Sequence, residues 1–174
     1  MQEEHSKAPA IDTESSAVRN KIGVGLLAAA FTFLVGAIII ARLQEGKSLA
    51  DPGNAEQVAR GRTVYDKHCA ACHGARLEGQ PKWQEKLPTG RMPAPPHDAS
   101  GHTWHHPDSV LFGITQYGLV PGKYAPPEYE SDMPAFGDRL TDEEIWVVLA
   151  YIKSAWPEKI RNAQAEITRD AARR

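Results

Sequence analysis

Cysteine is scarce in this chain, and neither sign of charge is in excess. Among 174 residues there are two cysteines and three methionines, and the formal net charge at pH 7 is −2. A near-neutral balance leaves no electrostatic footprint for a phosphate backbone, and the glycines never assemble into a phosphate-cradling loop. Nucleic acid is therefore not expected as a partner. No run of β-branched residues suggests buried strands, which argues against an α/β scaffold. The length suits one compact domain with accessory segments.

Both cysteines fall in one stretch, Cys69-Ala70-Ala71-Cys72-His73, the C-x-x-C-H attachment signature of c-type haem. Each thiol can add across one vinyl group of the porphyrin, and two intervening residues on a helical turn set the sulfurs at the matching separation. The adjoining histidine then falls under the iron as an axial ligand. Two other readings of the pair stand beside this one. A thioredoxin-type dithiol would need the α/β scaffold that the composition disfavours. A zinc site would need ligands from histidines such as His68, His102, His105 or His106, without the second paired spacing usual in zinc frameworks.

Ile22 to Ala41 is a nearly pure apolar run, broken only by Thr32 and small residues. About 20 residues rising about 1.5 Å each reach about 30 Å, the hydrocarbon thickness of a bilayer. Val35-Gly36-Ala37 also reads as a signal-peptide cleavage site, but Ile38 to Ile40 follow it at once and the preceding polar segment is long for such a peptide. An uncleaved transmembrane anchor over residues 21–42 is expected, after a polar cytoplasmic tail over 1–20. Basic residues flank the run on both sides and do not orient it. Haem attachment does, because it needs reduced cysteines and dedicated machinery on the outer face of an energy-transducing membrane. The expectation is a single-pass protein of the bacterial inner membrane with the Cys69 side in the periplasm. Residues 43–53 form a short linker reaching roughly 20 Å as coil and no more than about 40 Å extended.

From Asn54 the pattern turns helical, with Asn54 as a cap and Gly61, Tyr65 and Cys69 on one stripe. Gly74 ends the cysteine-bearing segment. Thr141-Asp142-Glu143-Glu144 is a capping box opening a helix through about Trp156, with Ile145, Val148, Leu149 and Ile152 on its apolar face and Pro157 beyond. The Gly61 and Tyr65 stripe is its natural partner. A short helix is predicted over Asp108 to Tyr117, packing Val110, Leu111 and Ile114 inward. Residues 158–174 read as a charged extension whose default is a frayed surface helix.

Taken in order, Gly61, Tyr65 and the Cys69 to His73 motif, then Met133-Pro134-Ala135-Phe136, then Val148 to Lys153 resemble the signatures of class I mono-haem cytochromes c, over residues 54–157. The resemblance implies an all-α fold in which the first and last helices cross around one covalent haem c. It further implies that His73 is the proximal ligand and Met133 the distal one. Met92, His102 and His105 are the competing distal candidates, but Met133 lies about sixty residues beyond His73, far enough for the chain to return on the opposite face of the haem. In the family the proximal histidine's other ring nitrogen usually meets a proline carbonyl, and Pro95, among Pro93, Pro95 and Pro96, lies nearest that pattern.

A closed histidine and methionine ligation argues for electron transfer and against catalysis at the haem. The apolar run resembles that of bacterial membrane-anchored members. The resemblance suggests a quinol-oxidising cytochrome bc-type complex as donor and a terminal oxidase as acceptor. An alternative is a haem c subunit of a membrane dehydrogenase or oxidase complex, and a third class is a haem or copper sensor. The sensor reading draws on Gly101 to Asp108, where three histidines suggest a polar turn, contact with a haem propionate aided by Trp104, or a second metal. Trp83 reads either as a propionate donor or as a packed loop aromatic. Glu128, Glu130, Asp132, Asp138, Asp142, Glu143 and Glu144 bracket Met133, as an acidic docking face or a solvated one.

Overall fold

Asp51-Pro52-Gly53 turns the chain into helix α1, Ala55–His68, and the Asn54 side chain accepts from the backbone N–H groups of Glu56 and Gln57 at 3.1 and 3.2 Å. This satisfies two donors that have no partner within the helix. The computed structural model describes residues 33–36 and 49–174. The first of these, Phe33–Gly36, are helical and belong to a unit, Met1–Lys47, distinct from the unit Ser48–Arg174. Apart from them, the expected tail and anchor lie outside the described residues, as does the linker up to residue 48. Among the described residues no helix is long and apolar enough to cross a membrane.

After α1 come the single turn α2, Ala70–His73, a 3-10 turn at Thr103–His105, α3, Asp108–Tyr117, α4, Asp142–Ser154, and α5, Glu158–Ala172. Two isolated bridges, Met92 with Ser131 and Pro121 with Ala125, are the extended pairings found among the described residues, and no strand forms there. The fold is helical.

Its frame is the packing of α1 on α4. A Cβ on Gly61 would stand 1.9 Å from the Val147 carbonyl oxygen and 2.9 Å from Tyr151 Cβ, so only glycine lets the two backbones approach this closely. Four residues on, fully buried Tyr65 meets the Tyr151 ring at 5.3 Å and donates its hydroxyl to the Gly74 carbonyl at 2.8 Å. The capping box at Thr141 and Glu144 is complete. α4 buries Ile145, Val147, Val148, Leu149, Ala150 and Ile152. It stops at Ser154, two residues short of the sequence expectation: Ala155 and Trp156 N–H bond three residues back in a tightened last turn, and Pro157 disfavours helical geometry at Trp156.

α3 has the expected bounds but a different inner face. Leu111 is buried, together with Asp108 and Gly113, while Val110 and Ile114 are half-buried. Asp108 accepts the Lys153 ammonium on both carboxylate oxygens at 2.9 Å, and both side chains are almost wholly inaccessible. The Gln164 amide donates to the same carboxylate at 2.7 Å, and the Thr168 hydroxyl accepts from the Asp108 backbone N–H at 3.0 Å. Gln164 and Thr168 belong to α5. The extension expected to fray is therefore docked, and it supplies the N-terminal cap that Pro107 cannot give α3. A buried ion pair needs additional hydrogen bonds to offset its desolvation, and α5 provides one.

Candidate functional site

Cys69 closes α1 and opens α2, so the cysteine segment is the joint between a long helix and a single turn. The Cys69 carbonyl accepts from Cys72 and His73 N–H at 3.1 and 2.9 Å, which winds the two intervening alanines into that turn. Cys69 is half-buried and Cys72 exposed. Burial, with Cys72 beside it, pushes the Cys69 thiol up to about 11. A dithiol oxidoreductase needs the opposite, a thiolate favoured near neutrality, and no strand scaffold accompanies the pair among the described residues.

Gly74 leaves the turn at φ +80°, and the chain folds back so that Gly79 N–H donates to the His73 carbonyl at 2.8 Å. His73 itself is 6% exposed. Its Nδ1 lies 2.8 Å from the Pro95 carbonyl oxygen. A carbonyl only accepts, so Nδ1 carries the proton and Nε2 keeps its lone pair, the tautomer a metal-binding imidazole requires. Burial lowers the His73 pKa below the usual histidine value, opposed by that hydrogen bond.

The segment bearing Pro95 is threaded between two glycines. A Cβ on Gly79 would meet Pro96 N at 2.4 Å, and one on Gly101 would meet the Pro96 carbonyl oxygen at 2.0 Å. Directly after Pro95 and Pro96 comes His97, which sequence reasoning overlooked. Its ring stacks on His73, with centroids 4.0 Å apart and planes 22° from parallel. Its protonation is held well below the usual range by burial and by the neighbouring His73 and His102. The signal available in the sequence was its position two residues beyond Pro95 in a proline-stiffened segment.

Met133 lies on a strap leading to buried Phe136 and is packed, half-exposed, against the core. Met133 N–H donates to the Ser131 hydroxyl at 3.1 Å. Before it, the strap is fastened to the loop around Arg91: Met92 N–H donates to the Glu130 carbonyl at 2.8 Å, and Arg91 bonds the Ser131 carbonyl and pairs with Asp132 at 2.5 Å. Met92 therefore flanks the Met133 strap.

The histidines of the 101–108 loop are engaged with aromatic rings. His102 stacks on half-buried Trp83 at 5.3 Å and 12°, and His105 on Trp104 at 3.7 Å and 26°. The Trp104 indole N–H donates to the Gly101 carbonyl at 3.1 Å, so it is already committed within the loop. Among the described residues no group of three or more histidine, cysteine, aspartate or glutamate side chains could hold a metal ion.

Most of the acidic residues around Met133 are also engaged within the fold. Glu130 and Asp132 face Arg91, Glu143 pairs with Arg60, Asp142 accepts from Gln116, and Glu144 completes the capping box. These contacts hold the side chains in place, while of these residues only Glu130, Asp132 and Glu143 face a cation, so the segment stays acidic on balance.

The donor set brought together in one turn, two thiols and a neutral imidazole with Nε2 unprotonated, suits a covalently attached haem whose iron takes a nitrogen ligand. Comparison with known proteins agrees. A sequence profile of the family described as Cytochrome c matches residues 58–156. The chain is 29% identical over 101 residues to cytochrome c-555 of Prosthecochloris aestuarii, covering 55% of this chain and 84% of that protein. It is 30% identical over 99 residues to the gluconate 2-dehydrogenase cytochrome c subunit of Pantoea cypripedii, covering 55% of this chain but only 20% of that subunit. No solved structure matches.

Proposed function

The chain belongs to the cytochrome c family, and on that premise we propose that it is a membrane-tethered carrier, taking electrons from a quinol-oxidising bc-type complex and passing them to a terminal oxidase. A cytochrome c carries covalently bound haem c and transfers electrons rather than catalysing a reaction. When bound, the haem iron alternates between ferric and ferrous states and so moves one electron at a time.

The observation that carries the reading is His73, held by Pro95 at Nδ1 so that Nε2 keeps its lone pair, in the same turn as Cys69 and Cys72. In this proposal Cys69 and Cys72 anchor the haem, His73 is the proximal ligand, and Pro95 fixes its tautomer. Met133 is the distal ligand. A thioether is soft and neutral, favours the reduced iron, and leaves no position open to oxygen or substrate. The strap that presents Met133 supports this choice, and His102 and His105 are exposed with their rings stacked on tryptophans.

The tether is the apolar run over residues 21–42, with the haem domain in the periplasm beside the bacterial inner membrane. Within that run the helical Phe33 and Leu34 are 82% and 59% exposed, a greasy surface suited to lipid.

Likeness to a dehydrogenase cytochrome subunit supports a second reading, a haem c subunit of a membrane dehydrogenase complex. Membranes solubilised in mild detergent separate the two. The carrier reading expects a pool of this protein apart from any one enzyme, reduced by quinol through the bc-type complex and reoxidised by the oxidase. Co-purification with one dehydrogenase, together with reduction only by that enzyme's substrate, would replace it with the subunit reading.

A further inference from the structure

The hydrogen bond from Nδ1 to the Pro95 carbonyl holds the His73 ring at its edge. A second constraint lies on its face. We infer that His97 is a positioning residue for the haem site, its imidazole laid flat on the His73 ring so as to set the plane in which His73 presents Nε2. The inference rests on the proposed role of His73 as axial ligand.

Four contacts make His97 a firm backing. Its backbone N–H donates to the Leu77 carbonyl at 2.8 Å, and its carbonyl accepts the Trp156 indole N–H at 2.8 Å. Its Nδ1 lies 2.9 Å from the hydroxyl of buried Thr103. That hydroxyl also reaches the Pro96 carbonyl at 3.4 Å, which ties the ring to the proline segment. The buried Tyr65 ring stands edge-on to it, with centroids 6.4 Å apart and planes at 73°. Trp156 and Tyr65 are both fully buried, so the backing is tied to the main core.

A face-to-face ring at 4.0 Å and 22° is close to van der Waals contact, and tilting His73 would drive it into His97. The same contact keeps water from that face. The orientation of an axial imidazole and the exposure of its surroundings are both levers on a haem iron. Pro95 and His97 thus act on one ring from two directions, at its edge and at its face.

The test uses the full chain with haem attached, in detergent, comparing wild type with His97→Ala, His97→Phe and Thr103→Val. The g values of the low-spin ferric signal report the ligand plane, and the midpoint potential reports access of water. His97→Ala is expected to shift the g values and lower the potential, since water at the open face stabilises the ferric state. His97→Phe, which keeps a flat face, should return the g values toward wild type. Thr103→Val, which only removes the hydroxyl that steadies the ring, should give a smaller shift in the same direction. Wild-type g values and potential in His97→Ala overturn the inference, and so does a phenylalanine variant that behaves like alanine. If the alanine variant does not accumulate with haem, unchanged g values in Thr103→Val overturn it instead. His73→Ala is the separate control: an unchanged ferric spectrum there removes the premise about His73.

Discussion

The His73 side and the Met133 side are held by different kinds of force. Around His73 the contacts are main-chain or buried: the Pro95 carbonyl, the stacked His97, the Thr103 hydroxyl, and glycines that let Pro95 and Pro96 pass between them. Around Met133 the strap adds to its main-chain bonds, Met92 N–H to Glu130 and Phe136 N–H to Thr115, the side chain of Arg91, whose partners Glu130 and Asp132 are 68% and 76% exposed. Exposed ion pairs are worth about 0–1 kcal/mol and weaken with salt, whereas buried packing is insensitive to ionic strength. The His73 side is built to stay, and the Met133 side to hold or yield with conditions.

The comparison can be broken most directly at Met133 itself. Met133→Ala should abolish the far-red sulfur-to-iron band of the oxidised protein and lower the potential, within the ~0.8 V range that axial ligands span. A band that survives would assign the distal position to another side chain and dissolve the contrast. The His73 side is next. Gly101→Ala places a Cβ against the Pro96 carbonyl, and overpacking of this kind costs about 1–3 kcal/mol. The thermal midpoint should drop by several degrees, and an unchanged midpoint would show that the proline segment has slack.

Arg91→Ala should sharpen the contrast. Global stability is expected to change by no more than about 1 kcal/mol. Affinity of the ferric protein for added imidazole should nevertheless rise, up to roughly fivefold, the equivalent of about 1 kcal/mol. High salt should bring wild type toward the variant, and a salt-independent affinity would mean that the ion pairs do not hold the strap.

The smallest effect belongs to neither side. Hydrogen bonds from the Thr141 backbone and hydroxyl hold the Glu144 carboxyl below its ordinary value. A depressed folded value gives stability that is present above the unfolded pKa and lost as pH falls through the folded one. Wild type should therefore lose slightly more stability on acidification below about pH 4 than Glu144→Gln does. The visible spectrum should stay the same in both, and a change would tie the α4 cap to the haem site.

How much was legible in the sequence follows the range of the interactions. The Asn54 cap, the Thr141 box, the bounds of α3 and the glycine where α1 meets α4 are written in a few neighbouring residues, so a linear reading finds them. Cys69, Cys72 and His73 are likewise contiguous. Nothing in the linear pattern joins Arg91, Asp108, Lys153 and Gln164 to their partners, which lie about 40 to 56 positions away. Helix α5 carries Ile160, Ala163 and Ile167 on one side, with buried Gln164 on the same face, but its charge-rich sequence concealed how firmly that face docks. His97 was hidden differently. Its neighbours in the sequence are proline and aspartate, and its importance comes from the ring it lies upon.

The staple from α5 to Asp108 also gives the molecule an order of completion. Residues 158–172 follow Cys69 to His73 in the chain, so synthesis and any translocation that proceeds from the N-terminus deliver the cysteine turn before α5. Until they arrive, α3 lacks the Thr168 cap and the Asp108 carboxylate lacks its Gln164 donor. The cysteine turn can thus be in place while the α5 end of the domain is still open. A chain cut short before Gln164 would carry an α3 with neither its cap nor its buried amide donor.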